Sequence, residues 1–107
     1  MWARVLVLER KFEQAIEHLE RGFAIAVNYN IPFRATDCCN QITGIICDAL
    51  STKLFSTEEM LKKGLYYGDY AINYYKQLNK SNHRYLQDSL EKYQRIEEAQ
   101  RVLTSKA

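Results

Sequence analysis

The chain is poor in residues that punctuate a backbone: among 107 residues there are one proline and four glycines. So few turn-makers exclude a fold of many short strands and favour a few long elements. Long apolar runs are missing too. Val5 to Leu8 is far short of the ~18 residues a bilayer span needs, and it lacks the h-region and cleavage pattern of a secretory signal. Direct membrane insertion is therefore not expected, and a cytoplasmic location is. Cysteine is scarce, and Cys38, Cys39 and Cys47 form an odd set with two adjacent members, unlike the even framework of a small secreted domain. Reduced thiols follow. No charge sign dominates: 15 basic and 13 acidic residues are interleaved for a net +2, which leaves no basic stripe and argues against nucleic acid as a partner.

The arrangements that carry catalysis are also missing. The sequence shows no nucleophile beside a base and no ligand cluster at metal spacing. Cys38-Cys39 with Cys47 is not a CxxC pair and has no neighbouring histidine to complete a zinc set. On an apolar helix face the three cysteines read as small core residues. His18 belongs to a polar helix side and His83 to a loop, both as solvated histidines. Gly44, Gly64 and Gly68 fall inside helical patterns and cannot form a phosphate-cradling loop. A non-enzymatic protein without cofactor or metal is the expectation.

What the chain does contain is 47% apolar and 26% charged residues, the composition of an ordinary globular protein. One helical domain over residues 1–107 is expected, or a piece of a longer helical repeat protein. From Phe12, apolar or small residues recur at Ala15, Ile16, Leu19, Gly22, Phe23 and Ala26, the spacing of a helix with one buried face. Glu13, Glu17, Glu20 and Arg21 lie off that face. Residues 1–10 read either as a strand or as the last turns of a preceding helix. Asn28 to Pro32 stops the first pattern, because asparagine suits helix ends and a residue before proline leaves the helical region.

A second helix starts at Pro32, with Ala35, Cys38, Cys39, Ile42, Ile45, Ile46, Ala49 and Leu50 on its apolar side and Asp37, Gln41, Asp48 and Thr52 opposite. Ser56-Thr57-Glu58-Glu59 is a capping box that opens a third helix, whose stripe is Leu61, Leu65, Gly68, Ile72 and Tyr75. The fourth carries Leu86, Leu90, Tyr93, Ile96 or Glu97, Ala99 and Leu103 in near-heptad order. The periodicity thus predicts an all-α fold of four long antiparallel helices near 12–30, 33–54, 57–79 and 82–105, with no sheet. Placing Phe12 over Leu61 also superposes Ile16 on Leu65, Leu19 on Gly68 and Phe23 on Ile72, a weak repeat that matches the first helix to the third.

The segment Lys11 to Gly22, with an aromatic residue, then Ala15, then small or apolar residues, resembles the second helix of a tetratricopeptide-type hairpin. Gly64, Gly68 and Ala71 offer a similar pattern, and Gly44 stands where the hairpin's first helix expects a small residue. That resemblance implies stacked hairpins in a right-handed α-α superhelix-like bundle, with residues 1–9 ending a truncated helix and 12–30 as its partner. It also implies a scaffold or adaptor that binds a peptide or helix of another protein. Residues 34–105, with Ser56-Thr57-Glu58-Glu59-Met60-Leu61 and Tyr93-Gln94-Arg95-Ile96-Glu97-Glu98-Ala99, are similar as well to the MIT (microtubule-interacting and transport) three-helix bundle. That family presents grooves to amphipathic helices of membrane-trafficking proteins.

Tyrosine is the compositional anomaly: Tyr66, Tyr67, Tyr70, Tyr74 and Tyr75 crowd about three turns. Periodicity turns Tyr67 and Tyr75 to the core and Tyr66 and Tyr70 toward the polar side, where a large ring with a polar tip suits an interface. Tyr66 and Tyr70 are thus the candidate partner-binding aromatics, with Asp37, Gln41 and Asp48 fixing the partner's orientation by hydrogen bonds. The rival expectations are a helical sensor for a small ligand or signalling peptide and a self-associating bundle.

Overall fold

The computed structural model describes residues 2–52, 58–78 and 83–105, all but a short turn of them helical. Four helices follow one another: α1 (Trp2–Asn28), α2 (Pro32–Thr52), α3 (Glu58–Leu78) and α4 (His83–Ser105). The all-α expectation holds, and no strand occurs among the described residues. The N-terminal boundary does not hold. α1 is one helix through residues 9–12, so residues 2–9 are its first turns and not the end of a separate helix. The apolar run at Val5 to Leu8 was too short to show its period; continuity with the strongly periodic segment after it decides its conformation. His83 likewise opens α4 rather than sitting in a loop. The Ser56-Thr57 half of the capping box lies outside the described residues, while Glu58 and Glu59 occupy the first turn of α3, where acidic side chains complement the helix dipole.

The α1–α2 turn is specified by its own chemistry. Asn30 adopts a left-handed backbone with φ of 58°. The Ile31 amide then donates to the Ala26 carbonyl at 2.8 Å and the Asn30 amide to the Val27 carbonyl at 3.1 Å, the paired bonds of a Schellman ending. Pro32 follows as the first residue of α2, and the Thr36 hydroxyl donates back to the Pro32 carbonyl at 2.8 Å. Asparagine tolerates this conformation where a Cβ-bearing residue without a local polar group does not. Asn30→Ala should therefore lower stability by about 1 kcal/mol, and Asn30→Gly should match or exceed the unmutated chain. Chemical-denaturation midpoints check both; equal midpoints for the two variants would remove the turn from the folding argument.

α2 is the hub. It packs against each of the other three helices, α3 packs against α4, and the backbones of α1 and α3 stay apart. The weak repeat thus relates the two helices that flank α2. Enclosure on several sides explains why α2 buries Thr36 and Thr43 together with Ala35, Cys39, Ile42, Ile46, Cys47 and Ala49. The fully buried Leu61 of α3 and Ile96 of α4 complete the centre. Ile96, not the exposed Glu97, is the core residue of the pair the heptad left open.

Two expectations about polar side chains change. Glu20, placed off the buried face of α1 by periodicity, is half-buried and spans the gap to α3: it accepts from the Tyr67 hydroxyl at 2.8 Å and from Lys63 Nζ at 3.1 Å. Burial, and then the hydrogen bond to that carboxylate, hold the Tyr67 phenol well above its ordinary pKa. Tyr70 is half-buried as well, edge-on to Phe23 of α1 with ring centroids 5.0 Å apart, so it is part of the α1–α3 seam and not a free polar-face ring.

Candidate functional site

The feature most unlike ordinary surface lies where the N-terminal turns of α2 meet the C-terminal turns of α3. Two adjoining clefts open there, and Tyr74 is a wall of both. The first, of about 290 Å³, runs along α3 past Tyr66, Asp69, Tyr70, Asn73 and Gln77 to Pro32. Its residues recur at three- and four-residue spacing, so a single helix face builds it. The second, of about 220 Å³, is formed by three helices: Phe33, Thr36, Asp37 and Asn40 of α2, Tyr74, Tyr75 and Leu78 of α3, and Tyr85 of α4. Tyr75 and Tyr85 lie stacked in its wall, with centroids 5.9 Å apart and planes 21° from parallel.

The floor of this second cleft is a polar tie between three helices. Asn40 Nδ2 donates to the Tyr75 hydroxyl oxygen, and Asn40 Oδ1 accepts from the buried Ser89 hydroxyl at 3.0 Å. A single amide, using both ends, thereby fixes the angle at which α3 and α4 sit on α2. Burial raises the Tyr75 pKa, only partly offset by the hydrogen bond from Asn40. The phenol therefore stays neutral across the physiological range.

Around this floor the rim is apolar and open. Phe33 is 71% exposed, Tyr85 58% and Leu78 41%, and Tyr66, on the first cleft, is 63% exposed. Tyr29 and Ile31 of the neighbouring turn are exposed too. Large rings left in water and gathered round concave surface are the mark of a binding face, since isolated exposed apolar residues are common but clustered ones are not.

Of the residues singled out in the sequence, the structure groups four. Tyr66 and Tyr70 line the first cleft, Asp37 lines the second, and Gln41 Nε2 donates to Asp37 Oδ2 at 3.0 Å. Asp48 is exposed on α2 but belongs to neither cleft. Sequence reasoning missed Phe33, Asn40, Tyr74, Tyr85 and Ser89. A signal for part of this was present: Thr36, Asn40, Thr43 and Cys47 follow one another by four, three and four residues, a polar stripe within the helix that proves central.

The cysteines have no poised chemistry. Cys39 and Cys47 are buried and Cys38 is half-buried, all as free thiols. Burial is the main cause that pushes the Cys39 pKa up to about 12 and raises those of Cys38 and Cys47, which disfavours the nucleophilic thiolate. No group of three or more potential metal ligands occurs among the described residues, and none of the described helices is long and apolar enough to cross a membrane. No protein-family model matches the chain, and comparison with curated proteins and with solved structures likewise finds no match.

Proposed function

We propose that this chain is a non-enzymatic interaction module that binds a peptide or helix of another protein across the paired clefts at the α2–α3 end. The observation that carries this reading is the shared wall: two clefts meeting at Tyr74 under a rim of exposed Phe33, Tyr66, Leu78 and Tyr85. Rigid aromatic rings offer a partner large contact area at small entropic cost, and binding energy concentrates in such anchors. Tyr66→Ala should weaken partner binding by about 1–3 kcal/mol and leave the melting transition nearly unchanged. Tyr70→Ala removes the edge-on contact with Phe23 as well, so it should lower both affinity and stability. Titration calorimetry with a captured partner, beside thermal melts, separates these effects. Unchanged affinity in Tyr66→Ala would remove the first cleft from the binding face.

A second reading has its own support. α2, α3 and α4 each pack against the other two, as in a three-helix MIT-like domain, with α1 laid against α2. Under that reading residues 32–105 should unfold as one cooperative unit without α1. Under a hairpin-repeat reading the same segment, stripped of the helix covering α2, should lose its cooperative transition. Calorimetry of the truncated chain decides between them.

A further inference from the structure

We propose that the cleft between Phe33, Asp37 and Tyr85 receives the side chain of an arginine from the bound peptide, an inference that rests on the interaction reading above. Its walls are aromatic, with Tyr74 beside the stacked Tyr75 and Tyr85 and with Phe33 at the mouth. Aromatic faces carry negative potential and attract a cation, most strongly where water is partly excluded. The one charged residue among the lining groups is Asp37. Its side-chain partner is the neutral amide of Gln41, and none of the ion pairs among the described residues includes it, although Arg34 stands one turn away on the same helix. Among the described residues the cleft thus holds a carboxylate outside any ion pair against an aromatic wall.

That combination discriminates among occupants. A purely apolar side chain would remove water from Asp37 and return nothing for it. An acidic one would be repelled. A cation gains from both the carboxylate and the rings, and a guanidinium gains more than an ammonium. It is flat enough to lie on the exposed Tyr85 ring, is weakly hydrated, and can offer two parallel N–H donors to Asp37. Its aliphatic stem has Leu78 and Phe33 to cover it. The adjoining cleft repeats the formula. Asp69, whose side-chain partner is the Asn73 amide at 3.3 Å, lies there among Tyr66, Tyr70 and Tyr74.

The test is selection of random 12-residue peptides displayed on phage against the full chain, followed by synthesis of the strongest binder and of its arginine-to-citrulline analogue, which keeps the shape and loses the charge. Fluorescence anisotropy should show the analogue binding about tenfold or more weaker to the unmutated chain and within roughly twofold of the parent peptide on Asp37→Asn. Circular dichroism confirms that Asp37→Asn, an exposed isosteric change, stays folded. Selected peptides that lose binding in Phe33→Ala or Tyr66→Ala but contain no arginine would overturn the inference and leave the interaction reading standing. So would a citrulline analogue that binds as well as the parent, or one that loses as much affinity on Asp37→Asn as on the unmutated chain. Selection that enriches no peptide above an uncoated control would overturn the interaction reading itself.

Discussion

Gly64→Leu should be the most damaging single substitution in the chain, lowering stability by about 3 kcal/mol or more even though a helix-interior glycine is being replaced by a strong helix former. A Cβ at this buried position would stand 2.9 Å from Ile96 Cδ1, 3.1 Å from Ile96 Cγ2 and 3.1 Å from Ile46 Cδ1. Ile96 and Ile46 are fully buried, so turning either Cδ1 aside drives it into other core side chains, and Ile96 Cγ2, carried on the β-carbon, moves only with the stiff χ1 of a β-branched residue. Propensity alone favours leucine by about 1 kcal/mol, less than the cost of forcing a packed core apart. Gly68→Leu meets a softer obstacle. Its Cβ would lie 3.0 Å from Tyr93 Cδ2, the edge of a half-buried ring that can turn toward solvent, so the loss should fall in the range of about 1–3 kcal/mol. The ordering of the two urea midpoints is the check. If Gly64→Leu is the more stable variant, α3 and α4 do not cross at this point.

Asn40→Leu should be nearly as costly, about 2–4 kcal/mol, because one change removes the partner of two buried hydroxyls at once. Tyr75 would lose the donor to its phenolic oxygen, and Ser89, whose side chain is the more enclosed of the two, the acceptor for its proton. The double substitution Asn40→Leu with Ser89→Ala should recover part of the loss, since the second change deletes a group the first has stranded. Additive losses in thermal melts would mean that the three side chains do not act as one network.

The physical reach of periodicity explains what was legible in the chain. Apolar residues at helical spacing report which side of a helix is covered, and the stripes read for α3 and α4 do face inward: Leu61, Gly68, Ile72, Tyr75 and Ile96 are buried, while Leu65, Leu86, Leu90, Tyr93, Ala99 and Leu103 are half-buried. α2 has three neighbours, so its buried surface wraps most of the cylinder, and Thr36 and Thr43 are enclosed although a one-face pattern counts them as polar. Glu20 escaped for the opposite reason. It stands at the edge of the apolar face of α1, and only the tertiary approach of Tyr67 and Lys63 converts it from a solvated carboxylate into a bridge. The clefts depend on pairs distant in sequence, such as Phe33 with Tyr85 and Asn40 with Ser89, which no local spacing encodes.

The order in which helices touch also bears on how the second cleft comes into being. Three of the four interfaces at which helix backbones meet join helices consecutive in the chain, and contacts that close short loops form early at small entropic cost. The side-chain seam between α1 and α3 must close a loop that contains all of α2, and the packing of α2 on α4 one that contains all of α3. The Asn40–Ser89 bond belongs to the α2–α4 interface, and Tyr85 reaches the cleft only once α4 is docked. The α2–α3 hairpin alone therefore does not complete the second cleft, whose Tyr85 wall depends on a contact between helices that are not consecutive in the chain.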